Sequence, residues 1–196
     1  MRKHAVLAML AAAILAGCGK EESSSGGGSG SGSGTGGGVA AAKTPEDAWK
    51  DMRRCFETSD GKGLWNSVCA ASRKNMTEGD GAKQIESMKS MEDAQLEAIT
   101  KENFDMSAAE FRKASVEEIM ISSFNKVTKD PKEKEKILKT KWKSCEIKGD
   151  KAYCVTLEPG DDGKEKEDYA VLVKEDGTWK VNIEDTEKFK DEKKGG

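Results

Sequence analysis

Apolar residues change their spacing several times along this chain. Ala5 through Ala16 form an unbroken run of twelve apolar residues behind Arg2, Lys3 and His4. From Ser23 to Gly38 every residue is Ser, Gly or Thr, so nothing there can bury apolar area. Beyond Thr44 a helical period takes over. Trp49, Met52 and Phe56 make one stripe, and Leu64, Trp65, Val68 and Cys69 make a second after the Asp60-Gly61 break. Ile85, Met88, Met91, Leu96 and Ile99 predict a third helix, and Val116, Ile119, Met120, Phe124 and Val127 a further face. Thr44-Pro45-Glu46-Asp47 reads as a helix start and Ser107-Ala108-Ala109-Glu110 as a capping box, while Asp130-Pro131 predicts the end of the helical half.

From about Lys136 the period shortens to two. Strands are expected over 139–148, 151–157, 168–174 and 178–183, separated by Gly-Asp, Pro-Gly-Asp-Asp-Gly and Asp-Gly turns. Alternation groups Trp142, Tyr153, Val155 and Leu157 on one face, then Tyr169, Val171 and Val173, then Trp179, Val181 and Ile183. Helices first and hairpins later predict an α+β domain, with N-terminal helices on one face of a four-stranded antiparallel C-terminal sheet. Four segments follow: a signal peptide over 1–17, a tether over 18–43, the domain over 44–184, and a charged, frayed tail over 185–196.

Twelve apolar residues reach only about 18 Å as a helix, short of the roughly 30 Å hydrocarbon layer, which favours a leader over a permanent span. Leu15-Ala16-Gly17-Cys18 resembles the lipobox of bacterial lipoproteins at all four positions. The resemblance implies cleavage between Gly17 and Cys18, a diacylglyceryl thioether on Cys18 and, usually, acylation of the new amino group. Cysteine suits that role because its thiolate is a soft nucleophile. The implied partner is the lipid bilayer, bound through acyl chains that replace a membrane helix. Gly19, where the enteric pattern would retain a protein with Asp, implies the outer membrane under that pattern; the expected location is the cell membrane or the outer membrane, with the domain facing the periplasm or the exterior. The Gly/Ser segment then has an end-to-end reach of roughly 25–30 Å.

Thr44-Pro45-Glu46-Asp47-Ala48-Trp49, the turn 59–63 with Leu64-Trp65 and Ser72-Arg73, and the closing stretch 173–181 are similar to envelope lipoproteins of the nuclear transport factor two-like superfamily. That resemblance implies a curved sheet around a long helix, forming a cone whose mouth often holds a small molecule. Ketosteroid isomerase and scytalone dehydratase use the cone for catalysis, whereas most such lipoproteins have no assigned chemistry.

The charge balance, 33 basic against 36 acidic residues, lacks the footprint of a nucleic-acid binder. His4 is the only histidine and falls in the leader, which removes His-based nucleophile arrangements and His-ligated metal sites from the mature chain. Beyond Cys18 there remain Cys55, Cys69, Cys145 and Cys154, an even number that suits an oxidising compartment. A two-residue Gly149-Asp150 turn sets Cys145 opposite Cys154, at a separation a cross-strand disulfide can bridge with some strain. Cys55 and Cys69 can meet across a tight helical hairpin. Each bridge would contribute about 3 kcal/mol in the chain-entropy picture.

Zinc is disfavoured because the spacings lack a paired C-x2-C, and no C-x-x-C motif supports an oxidoreductase; buried thiols remain the plain reading of Cys55 and Cys69. Met52, Met88, Met91 and Met120 read as core packing before a copper site. Lysines 132, 134, 136, 139, 141 and 143 read as a solvated edge strand before a surface for anionic polymers. Trp49, Trp65, Trp142 and Trp179 read as core before pocket. Tyr153 and Tyr169 have no acidic partner at a matched position. No catalytic residue, metal or cofactor is assigned. The expectation is therefore a membrane-anchored envelope lipoprotein presenting a binding or scaffolding domain for a small apolar ligand or an envelope protein. The alternative is a histidine-independent lyase or isomerase working in the cone.

Overall fold

The computed structural model describes residues 42–160 and 163–194; the leader, Gly17, Cys18 and the tether expected before Ala42 lie outside the described residues. Helices α1 (Pro45–Thr58), α2 (Gly61–Asn66), α3 (Ala70–Glu78), α4 (Asp80–Met88), α5 (Asp93–Asn103), α6 (Ala108–Lys113), α7 (Val116–Lys129) and α8 (Pro131–Lys139) come first. Strands β1 (Lys141–Lys148), β2 (Lys151–Pro159), β3 (Glu165–Glu175) and β4 (Thr178–Asn182) follow, and α9 (Ile183–Lys194) ends the described chain. The sheet is an antiparallel meander in the order β1-β2-β3-β4. The expected α+β order of helices then sheet is what the chain adopts.

Local chemistry explains where the helices begin. The Thr44 hydroxyl accepts from the Asp47 amide at 3.1 Å, the Asp47 carboxylate accepts from the Thr44 amide at 3.2 Å, and Pro45 fills the first turn without wasting a donor. Ser59 closes α1 in the left-handed region at φ 55°. Ser107 and Glu110 form the expected capping box. A second box, Ser115 with Glu118, restarts the chain as α7 after Ala114 turns extended. Asp130 does not end the helical half. Its carboxylate caps the amides of Lys132 and Glu133, with Pro131 in the first turn, so Asp-Pro starts α8, and Lys132, Lys134, Lys136 and Lys139 lie on a helix instead of a strand. The single helix expected across Ile85 to Ile99 is two, α4 and α5.

A helical core gathers Phe56, Leu64, Trp65, Leu96, Phe111, Ile119 and Phe124, with the Trp65 and Phe124 rings edge to face at 5.6 Å. A second core lies on the sheet's inner face, where Ala152, Cys154, Leu172, Trp179 and Val181 meet Ala42 and Ala48. On β2 it is therefore Ala152, Cys154 and Thr156 that are buried, while Tyr153, Val155 and Leu157 are half-buried on the other side.

That other side is covered as well. The frayed tail expected over 185–196 is, through Lys194, helix α9 docked against β3. Phe189 lies 5.3 Å from both the Tyr153 and Tyr169 rings, and the Thr186 hydroxyl accepts from the Val171 amide at 2.8 Å. Lys190 buries its stem and pairs with Asp168 at 2.7 Å. Helices thus pack on both faces of the sheet, not on one.

The two edges of the sheet differ. Along β4 the Trp179 amide donates to the Ala42 carbonyl, the Val181 amide to Ser67 and the Cys69 amide to Val181, so the incoming chain and the α2–α3 connection occupy that edge. Along β1 the outer edge has no partner among the described residues and carries exposed Lys141 and Lys143 and a bulge between Trp142 and Ser144, devices that discourage further strand pairing. Gly61 marks a close approach of α2 to α7, donating its amide to Asn125 Oδ1 at 2.9 Å, and a Cβ there would collide with the Asn125 backbone. Gly61→Ala is expected to lower stability by about 1–3 kcal/mol in denaturant unfolding. An unchanged midpoint would mean that α2 and α7 do not meet at this point.

Candidate functional site

Between α1, α8 and the inner face of the sheet lies a pocket of about 50 Å³. The stripe of α1 contributes Trp49 and Met52, α8 contributes Ile137 and Lys136, β1 contributes Trp142, and β2 contributes Cys154. Room of this size admits a few waters or a narrow apolar group, far short of the roughly 300–1,000 Å³ that enclose a drug-sized ligand. Trp49 and Trp142, expected as core before pocket, are half-buried walls of the site.

Trp142 reaches this wall because of the bulge. It pairs with Thr156 while Ser144 pairs with Val155, so Trp142 and Cys145 both pack toward the inner core instead of following a strict alternation. Simple period-two counting places Trp142 with Tyr153; the extra residue corrects it.

Two carboxylates line the pocket, and both are paired. Glu158 meets Lys136 at 2.7 Å, each side chain roughly a quarter exposed or less, and Asp168 meets Lys190. Beside this rim, in the first turn of α8, Glu133 buries its Oε2 without a hydrogen-bond donor. Burial raises the Glu133 carboxyl above its ordinary range; Lys136 opposes this, and Asp130 and Glu158 add to it. Tyr153 and Tyr169 meet Phe189 edge to face, Tyr169 also lines the pocket, and its hydroxyl donates to Glu167 at 2.8 Å, which raises the phenol. Sequence spacing reveals none of these ion pairs, because the partners are brought together by strand register and helix docking.

The cysteines sort into a pair and two single residues. Cys145 and Cys154 are register partners on β1 and β2, both free thiols, with their Sγ atoms 2.6 Å apart. Burial raises both thiols. Cys55 and Cys69 are not joined. Cys69 is fully buried at the start of α3, where its thiol donates to the Ser72 hydroxyl at 3.3 Å, and Cys55 is buried beside Gly63, its thiol pushed up to about 11 by burial. Ser72 itself donates to Glu184 and accepts from the Ile183 amide at 3.0 Å, tying α3 to the start of α9. Among the described residues no group of three or more His, Cys, Asp or Glu side chains converges as a metal site.

The basic residues of 132–143 are largely engaged. Lys134 donates to the Glu57 carbonyl, Lys136 to Glu158, Lys139 to Glu135, Lys141 to Glu165 and Lys143 to Glu167. A stripe neutralised in this way is a poor anchor for an anionic polymer.

The raised Glu133 carboxyl has a stability consequence. A carboxyl with a folded pKa above its unfolded one binds more protons when folded, so stability falls as pH rises through that window. Glu133→Gln is expected to raise the unfolding midpoint at pH 7, with the gain shrinking as pH is lowered through the ordinary glutamate range. A gain that persists unchanged below that range would place its origin elsewhere than in ionisation.

No family model and no curated protein matches this chain. Among solved structures, a protein from Campylobacter jejuni described as an NTF2-like transpeptidase, determined at 2.00 Å resolution, aligns with 13% identity over 70% of this chain and 95% of its own, with a TM-score of 0.30. An overlap this slight adds nothing to the fold.

Proposed function

We propose that this chain is a lipid-anchored cell-envelope protein whose folded part is a binding or scaffolding domain held near the bilayer by a flexible spacer. The observation that carries the reading is the join between spacer and domain. The Gly/Ser stretch gives way to Ala42, which is buried and accepts the Trp179 amide at 3.1 Å on the edge of β4. The spacer therefore leaves the domain at one fixed point, and α1 begins directly after it. Leu15-Ala16-Gly17-Cys18 at the end of the apolar run supports acylation of Cys18, and among the described residues no helix is long and apolar enough to cross a membrane.

Function in this reading is positional. A tether with a reach of roughly 25–30 Å keeps the domain in a thin layer and raises its effective concentration toward envelope partners. Binding is favoured over chemistry because the two carboxylates in the pocket are each committed to a lysine. The competing reading, a histidine-independent lyase or isomerase, has Glu133 on its side, a carboxyl raised by burial; it stands beside the pocket, outside its lining.

Intact-mass analysis of detergent-extracted protein from its native cell tests the anchor. The expected product begins at Cys18 and carries acyl mass, and Cys18→Ser releases the domain from the membrane fraction. A processed protein without acyl mass at Cys18 refutes the proposal.

A further inference from the structure

The open edge of the sheet carries a pair of sulfurs that the anchoring function leaves unused. The Gly149-Asp150 turn, with Gly149 at φ 61°, pins Lys148 against Lys151 and so Cys145 against Cys154. Their Sγ atoms stand 2.6 Å apart. Cys154 is fully buried and lines the pocket, whereas Cys145 is half-buried and can be reached from solvent. Strand β1 needs the support. Only Trp142 and Cys145 along it are shielded from water, every other position is exposed, and among the described residues β2 is its sole strand neighbour. The one large side chain that β1 lends to the pocket is Trp142, three residues before Cys145 and placed on the same side by the bulge.

We propose that Cys145 and Cys154 are an oxidation site whose disulfide latches β1 onto β2 and so holds Trp142 in place as a wall of the pocket, while Cys55 and Cys69 remain thiols. In the balanced step the Cys145 thiolate attacks the disulfide of an oxidising protein or small disulfide, forming a mixed disulfide and releasing one thiolate. Cys154, losing its proton, then attacks Cys145 Sγ and expels the second thiolate. Two S–H bonds break and one S–S bond forms, and the acceptor disulfide leaves as two thiols carrying the two electrons and two protons. Cys69 does not compete, because it is enclosed and engaged with Ser72, nor does Cys55, which is enclosed beside Gly63. The latch goes beyond the anchoring reading and stands without it, since it concerns only the folded part.

The purified full chain carrying Cys18→Ser, which leaves four cysteines, is incubated with oxidised glutathione or with dithiothreitol, alkylated with iodoacetamide under denaturing conditions and peptide-mapped. After the oxidant a single bridge between Cys145 and Cys154 is expected, with Cys55 and Cys69 alkylated; after dithiothreitol all four are alkylated. Native trypsin cleavage after Lys141 and Lys143 is expected to slow at least about tenfold on oxidation, because opening of β1 limits access. In Cys145→Ser the cleavage rate becomes indifferent to the oxidant. Alkylation of Cys145 and Cys154 after oxidation, or a bridge that includes Cys55 or Cys69, overturns the site. Equal cleavage rates for the oxidised and reduced chain overturn the latch.

Discussion

One stripe of α1 holds the domain together. Ala48 faces the sheet, Trp49 and Met52 stand at the pocket, and Cys55 and Phe56 enter the helical core, so a single helix serves both apolar clusters. Eight residues of helix advance about 12 Å, enough to pass from one core to the other without a break in apolar contact. The cap at Thr44 and Pro45 sets the phase of that stripe, and Phe56, only 1% exposed, is its deepest point. Everything that positions the pocket depends on this helix lying where it does.

The sheet is finished around it unevenly. The incoming chain at Ala42 and the 67–69 connection close one edge, and α9 covers the outer face. The remaining edge, β1, is left to a bulge, exposed lysines and one pair of sulfurs. The two edges thus differ: one is closed by Ala42 and the 67–69 connection, and the other carries exposed lysines and faces solvent among the described residues.

Much of this was legible before any coordinates. Thr44 and Ser107 announced helix starts through side chains that satisfy backbone amides, and the turns Gly149-Asp150 and Asp176-Gly177 set the register because each offers positive φ where the chain must reverse, at 61° for Gly149 and at 49° and 77° for the second pair. What failed to show did so for physical reasons. Asp-Pro both stops one helix and starts the next, and only the start was counted out. Alternation put Tyr153, Val155 and Leu157 on one face without telling which side it takes; the buried side of β2 is Ala152, Cys154 and Thr156, and Phe189 of α9 meets Tyr153 from the other. That helix escaped notice because it docks through Thr186, Phe189 and the stem of Lys190, with too few apolar residues to register as a stripe. The pocket's tryptophans were visible as candidates, whereas the pairs Lys136–Glu158 and Lys190–Asp168 join distant segments and follow only from the assembled topology.

Hydrogen exchange on Phe56→Ala bears most directly on the role of α1. Removing the ring is expected to cost about 3–5 kcal/mol. If one helix serves both cores, amides of β3 and of α7 should lose protection together and by the same factor. Loss confined to α7, with β3 keeping its original protection, would contradict the account.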